Sequence, residues 1–284
     1  MRPQNLKTKL FLDSGNPQET RETIALLGFL DGQTTNPSLV AKNPHIQDLK
    51  MQKLLNPEII WDKYKELALQ IHEILPNKSI SVEVYSDAET KSESMIEKGR
   101  KLATWFPGVF VKLPITKEGL LTAEVFVKEG INVNMTLCFS QDQAAAVHSV
   151  TKGTKGQVYV SPFIGRLDDI GQEGSDIVNN ILKMYKEWNS HVQVLGASIR
   201  NLDHLYKCLK GNTDIVTIPL SVIAEWKDYG LEKTPEQFPF SHSEKKLIQF
   251  QNLIEQEWSL YNIHHELTDK GIERFVSDWK SLFS

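Results

Sequence analysis

A lysine in the middle of an apolar run is the first residue in this chain that could do chemistry. Val109-Phe110-Val111-Lys112-Leu113-Pro114-Ile115 reads as a strand with one ammonium in it. Taking an ammonium ion out of water costs several kcal/mol, so buried lysines are rare. Burial favours the neutral amine, and a neutral amine is a nucleophile. The competing reading is a half-exposed edge strand in which Lys112 buries its stem and keeps its head in water.

Neighbouring segments favour the first reading. Ile80-Ser81-Val82-Glu83-Val84 alternates and carries a carboxylate, and Leu10-Phe11-Leu12-Asp13 ends on another. Ile131-Asn132-Val133-Asn134-Met135-Thr136-Leu137 alternates strictly, with Asn132, Asn134 and Thr136 on one face. Strands of a parallel sheet buried on both faces should be almost purely apolar, so these side chains need a reason. A lysine beside carboxylates suggests Schiff-base chemistry on a carbonyl, with the carboxylates moving protons. A satisfied structural network is the alternative. Two arginines extend the pattern. Arg166 follows Ser161-Pro162-Phe163-Ile164-Gly165, and Arg200 follows Gly196-Ala197-Ser198-Ile199. Ser198 and Arg200 beside a helix start at Asn201 would suit a phosphate.

The elements that must position these residues are eight short strands separated by helical patterns. The strands are read at Leu10–Asp13, Gln33–Asn36, Ser79–Tyr85, Val109–Pro114, Ile131–Leu137, Val158–Phe163, His191–Ser198 and Ile215–Pro219. Met95, Gly99, Leu102 and Phe106 show the helical spacing between them, and Asn16-Pro17 is a helix start. Strand and helix alternating eight times predicts an α/β fold, a (β/α)₈ TIM barrel, with an open doubly wound sheet as the alternative. The polar residues then fall near the C-terminal strand ends, where such barrels place chemistry.

The barrel is expected over about residues 8–230 of one 1–284 domain, with a C-terminal helical extension over about 240–284 packed on it. Leu247, Phe250, Leu253, Ile254, Trp258 and Tyr261 are read as one helical stripe. Ile272, Phe275, Val276, Trp279, Leu282 and Phe283 are read as a second. His264-His265 are expected at the surface, Asp168-Asp169 in a loop or cap, and Cys138 in the core.

Composition narrows the function. The chain has 284 residues, 40% hydrophobic and 24% charged, and a net charge of −4. That excludes a disordered, collagen-like or coiled-coil chain and argues against nucleic-acid or anionic-membrane partners. Two cysteines make no disulfide framework, and no apolar stretch approaches a membrane span or a signal-peptide core. A cytoplasmic protein is expected. If an anion binds, a few placed residues must hold it.

The segment Asp31-Gly32-Gln33-Thr34-Thr35-Asn36-Pro37-Ser38 resembles the second-strand signature T-T-N-P-S of the transaldolase family. Five further segments match that family in order: Leu10–Ser14, Val111–Pro114, Asn134–Ser140, Ser161–Arg166 and Gly196–Asn201. His265–Gly271 is similar to its closing helix, so the resemblance runs from about residue 10 to the end. It implies a class I aldolase-type barrel that needs no metal and no cofactor.

Carried over residue by residue, the resemblance makes Lys112 the amine that attacks the keto carbon of a ketose phosphate. Glu83 would move protons through a water held near Thr136, and Asp13 would accept the proton of the carbon-4 hydroxyl. Asn36, Asn134 and Ser161 would hold the dihydroxyacetone unit, with Phe163 beside it; Arg166, Ser198 and Arg200 would hold the phosphate. The reaction implied moves dihydroxyacetone from sedoheptulose 7-phosphate or fructose 6-phosphate to glyceraldehyde 3-phosphate or erythrose 4-phosphate. That is a step of the pentose phosphate pathway.

A sister group of fructose 6-phosphate aldolases has shorter chains. It tends to carry Gln where this chain has Glu83 and Tyr where it has Phe163, and it lacks the arginine at Arg200. These positions favour transaldolase. The alternatives are such an aldolase and a non-catalytic sugar-phosphate-binding barrel. A homodimer or another homo-oligomer is left open.

Overall fold

In the computed structural model, residues 2–4, 6–241 and 244–283 are described. Eight parallel strands close into one barrel in sequence order. They are β1 Lys9–Asp13, β2 Gly32–Thr34, β3 Ser79–Glu83, β4 Val109–Pro114, β5 Asn132–Cys138, β6 Val158–Pro162, β7 Gln193–Gly196 and β8 Ile215–Ile218. The closing pair is β1 with β8, so no sheet edge remains. All eight expected strands are present, most trimmed by one or two residues at their ends.

Helices α1 Pro17–Leu27, α2 Pro37–Ala41, α3 Pro44–Met51 and α4 Pro57–Ile74 come first, then α5 Ser92–Ala103, α6 Lys117–Glu129 and α7 Gln141–Val150. The series ends with α8 Ile164–Asp168, α9 Ser175–Glu187, α10 Leu202–Lys210, α11 Leu220–Tyr229 and α12 Glu266–Lys280. Four of them begin on an Asn-Pro pair: Asn16, Asn36, Asn43 and Asn56 each cap with the side-chain oxygen. The following proline needs no amide partner and already holds a helical φ.

Register decides what faces what inside the barrel. Glu83 pairs with Lys112 across β3 and β4, and Lys112 pairs with Asn134 across β4 and β5. Paired residues of parallel strands point to the same side, so three polar side chains share one layer. Asp13 pairs with Thr34 in the same way. Below them Phe11, Phe110 and Tyr159 fill the interior, with the rings of Phe110 and Tyr159 stacked 4.1 Å apart.

Two expectations about the elements fail. Asn132 does not join the polar group at the strand tops. It starts β5 at the bottom of the barrel, where it donates to Val109 O and accepts from Gln157 N. The stretch from Leu247 to Tyr261 is not a helix; among its described residues only a single 3₁₀ turn, Trp258–Leu260, is regular. It is an extended strap over α7 and α9. Side chains of those helices take the backbone groups that a helix would have paired internally. Gln141 donates to Gln249 O and accepts from Gln251 N, both at 2.9 Å, and Asn180 donates to Ile248 O at 2.7 Å. The helical spacing of the strap's apolar residues is incidental, since Leu247, Ile254 and Leu260 are exposed. The second stripe is a helix as expected. Ile272, Phe275 and Trp279 are buried, and α12 lies against α2 and β5.

Gln141→Ala strands two strap backbone groups at once. Each of these bonds contributes a net of about 0.5–1.5 kcal/mol, so losing both should cost about 1–3 kcal/mol in urea unfolding. Limited proteolysis should cut the variant earlier within the strap, residues 247–261, than anywhere in the barrel.

Candidate active site

The strand ends enclose a cavity of about 210 Å³. Asp13, Asn36, Lys112, Thr136, Ser161 and Phe163 line it, as do Arg166, Ser198 and Arg200. Of the residues singled out in the sequence, only Glu83 and Asn134 stand behind this lining.

Lys112 is 3% exposed, so the edge-strand reading does not hold. Its ammonium donates to Thr35 O at 3.0 Å and lies 3.0 Å from Glu83 Oε2. The ion pair is close but poorly directed: Glu83 Oε2 has no well-aligned hydrogen bond among the described residues. Burial raises the Glu83 carboxyl above its ordinary range, opposed chiefly by the charge of Lys112. Asp13 is also raised by burial, opposed by Lys112 and by the Thr34 hydroxyl. Thr34 donates to Asp13 Oδ1 at 2.7 Å, so the 2.6 Å contact with Thr217 is a bond donated by Thr217. Burial thus pushes both carboxyls toward their protonated forms, and the charge of Lys112 opposes it in each.

The amides and hydroxyls are preset by the protein. Ser161 donates to Asn134 Oδ1 at 2.6 Å, and Asn134 donates to Ser81 Oγ at 3.1 Å. Asn36 spends its oxygen capping α2 and points its amide end at the cavity's rim. Thr136 Oγ1 is fully buried and has no partner among the described residues. An unpaired buried hydroxyl on the cavity wall is a place for a water or a ligand atom.

The cationic end is built differently. Arg166 makes no ion pair among the described residues. Its guanidinium lies 5.3 Å from the Phe163 ring centroid and 5.6 Å from that of Phe275, inside cation–π range. Burial lowers its pKa, and the nearby charges of Arg274 and Arg200 add to that. Arg200 is held by Asp169 in a two-pronged contact, one prong at 2.7 Å. His204 accepts from Arg200 N and meets Asp168 Oδ2 at 2.8 Å through its other nitrogen. Asp168-Asp169 lie at the end and C-cap of α8, in keeping with the expected loop or cap, and from there they anchor the arginine segment. Ser198 sits at φ +59°, a left-handed conformation unusual for a side-chain-bearing residue. Each arginine rests on a glycine. A Cβ on Gly165 would fall 2.5 Å from Arg200 Nε, and one on Gly271 would fall 2.7 Å from Arg166 Nη1.

Sequence reading missed Lys42, Arg274 and Phe275 as cavity residues. Phe275 was visible only as part of an apolar stripe, and Arg274 as its polar neighbour. Nothing in the spacing says that α12 crosses the barrel mouth. His265 is likewise not a plain surface histidine. It caps α12 by accepting from Leu267 N and stacks on Phe139. Cys138 is buried in β5 as expected.

A family model described as Transaldolase/Fructose-6-phosphate aldolase matches residues 10–284. A probable transaldolase of Dehalococcoides mccartyi is 35% identical over 274 residues, covering 96% of this chain and 99% of that protein. One of a Sulfurihydrogenibium species is also 35% identical over 274 residues, covering 96% and 97%. One of Bacteroides thetaiotaomicron is 34% identical over 274 residues, covering 96% and 99%.

The raised carboxyl of Asp13 has a stability consequence. Folding penalises its ionised form, so the penalty is absent below the unfolded value near 3.8, grows as pH rises through the folded value and is constant above it. Asp13→Asn should therefore melt above the wild type at pH 8, with the difference vanishing toward pH 3. Thermal melts at the two pH values check the sign.

Proposed function

The chain belongs to the transaldolase/fructose-6-phosphate aldolase family, and we propose that within it the protein is a transaldolase working through a Schiff base on Lys112. The observation that carries the reading is the buried Lys112, which lines one cavity with Asp13 and has the Glu83 carboxylate 3.0 Å behind it.

The steps follow from that arrangement. Lys112 yields its extra proton to Glu83, the acceptor at 3.0 Å. The freed amine adds to the C2 carbonyl of a ketose phosphate, and the carbinolamine loses water to give an iminium. Glu83 supplies the proton for that water, through a water molecule at the unpaired hydroxyl of Thr136. Asp13 then takes the C4 hydroxyl proton. The C3–C4 bond breaks, its electron pair flows into the iminium, and an aldose phosphate leaves. The enamine attacks the aldehyde of an acceptor, Asp13 returns its proton to the new hydroxyl, and hydrolysis frees Lys112.

Asn36, Asn134 and Ser161 hold the three-carbon unit while it waits, and Phe163 keeps that end apolar. Arg166, Ser198 and Arg200 take the phosphate of donor and acceptor in turn. Phe163 has no hydroxyl to deliver a proton to the enamine, which favours transfer over release of free dihydroxyacetone. The cytoplasm and the pentose phosphate pathway are the setting this chemistry suits, with sugar phosphates as its small-molecule partners. No helix among the described residues is long and apolar enough to cross a membrane.

Incubation with fructose 6-phosphate and borohydride should leave a reduced three-carbon adduct on Lys112, found by peptide mass spectrometry and absent in Lys112→Ala. An adduct on another lysine overturns the assignment. Without an aldehyde acceptor, free dihydroxyacetone should form much more slowly than transfer product; equal rates would make the protein an aldolase.

Arg200→Ala removes a charge-assisted contact worth roughly 1.5–3 kcal/mol, so affinity for phosphorylated donors should fall about 10- to 100-fold. With donor held at saturation, the KM of unphosphorylated glyceraldehyde as acceptor should change little.

A further inference from the structure

Tyr64 lies outside the barrel wall on α4, and no step above uses it. Its ring is packed among Trp61, Trp105 and Trp279, and the residue is 1% exposed. A phenylalanine would fill that space without a polar atom to bury. The hydroxyl is nevertheless there, and both of its bonds end at the catalytic strands. It accepts from Glu83 N at 2.9 Å and meets Thr35 Oγ1 at 2.5 Å.

The protons in this chain can be assigned. Thr35 Oγ1 donates to Ser81 O at 2.8 Å, so it must accept from Tyr64. The run is therefore Glu83 N–H to Tyr64 O–H to Thr35 O–H to Ser81 O. Thr35 N also donates to Ser81 O, at 3.0 Å. Each donor has one target and no buried polar group in the run is left over. The phenol stays protonated here, because burial raises Tyr64 far above its ordinary range.

What the run fixes is the environment of one amine. Lys112 Nζ makes two contacts, with Thr35 O and with Glu83 Oε2, both at 3.0 Å. Tyr64 grips the hydroxyl of the first residue and the backbone amide of the second. We propose that Tyr64 is a positioning residue for the lysine chemistry, its hydroxyl locking the ends of β2 and β3 so that Thr35 O and Glu83 converge on Lys112. The inference deepens the Schiff-base reading and rests on it for its kinetic consequence, but not for its structural one.

Tyr64→Phe keeps the ring and deletes the lock. Glu83 N–H loses its partner, and the Lys112–Glu83 pair loosens. The rate of borohydride-trappable adduct formation, and kcat with it, should fall about tenfold, the scale of one buried hydrogen bond. The final adduct per protein chain and the inhibition constant of inorganic phosphate should stay within about twofold, since Arg166 and Arg200 are untouched.

A second readout needs no sugar. Acetic anhydride labelling of Lys112, measured by mass spectrometry against the exposed Lys101, should speed up by about threefold or more as the pair loosens. Thr35→Val cuts the same run at its other end and should shift both readouts in the same direction, which covers a Tyr64 variant that folds poorly. A lower melting temperature with trapping rate and labelling ratio unchanged would make Tyr64 structural only and overturn the proposal. Loss of phosphate affinity in step with kcat would overturn it too, as general disruption. A wild type that forms no sugar adduct would instead sink the Schiff-base reading, and the labelling ratio alone would then decide the role of Tyr64.

Discussion

The structure turns on keeping one ammonium ion and two carboxyls inside a closed barrel. Lys112 and Glu83 are each 3% exposed and share a register position on β3 and β4. Breaking such a pair strands a buried charge, while making it costs the hydration of both ions. The barrel meets that cost with fixed partners. Thr35 O takes one hydrogen of the ammonium, Thr34 and Thr217 feed Asp13 in series, and Asn134, Ser161 and Ser81 close a neutral network beside them. The layer below is aromatic and close-packed, so this polar layer cannot sink into the core.

A second constraint comes from α12. The helix is far along the chain from the strand ends it covers, and small contacts hold it there. Thr268 donates to Leu137 O at 2.9 Å, Ser38 donates to Asp278, and Trp279 stacks into the Tyr64 cluster. Gly271 leaves room for the Arg166 guanidinium, and Phe275 presents its ring to it. One helix thereby roofs the cationic end of the cavity and buttresses the tyrosine behind the lysine. Contacts of such different kinds on a single helix make its docking angle part of the site.

Much of this was legible in the sequence. Eight apolar runs gave eight strands, because parallel strands buried on both faces must be apolar. The same rule made Asp13, Glu83, Lys112, Asn134 and Thr136 stand out as exceptions. What the sequence hid is of one kind: backbone or side-chain bonds made across long separations. The strap from Leu247 to Tyr261 has helical spacing, yet its backbone is held by Gln141 and Asn180 more than sixty residues away. Asn132 has the same alternation as Asn134, but alternation does not say which end of the barrel a residue reaches. Arg274 reads as a solvated helix position until α12 is laid across the mouth. Tyr64 reads as core, since nothing local reveals where a phenol's hydroxyl will point.

The polar groups of the cavity fall into two classes, and the division argues for where a substrate sits. Asn134 and Ser161 have their bonds filled by the protein and are rigid before anything binds. Thr136 Oγ1 is buried and unfilled, Glu83 Oε2 has only its poorly directed contact with Lys112, and Arg166 has aromatic rings in place of an anion. Unfilled buried polarity is costly, and beside a cavity a bound group can complete it. The open groups mark two ends, one beside Lys112 and one at Arg166, with the preset hydroxyls and amides between them. The ketose phosphate of the proposed reaction carries its groups in the same order: carbonyl toward one end, phosphate at the other, hydroxyls in the middle. The net charge of −4 leaves room for a local gathering of cations. Arg166, Arg200, Arg274 and Lys42 line the same mouth, with Arg200 paired to Asp169.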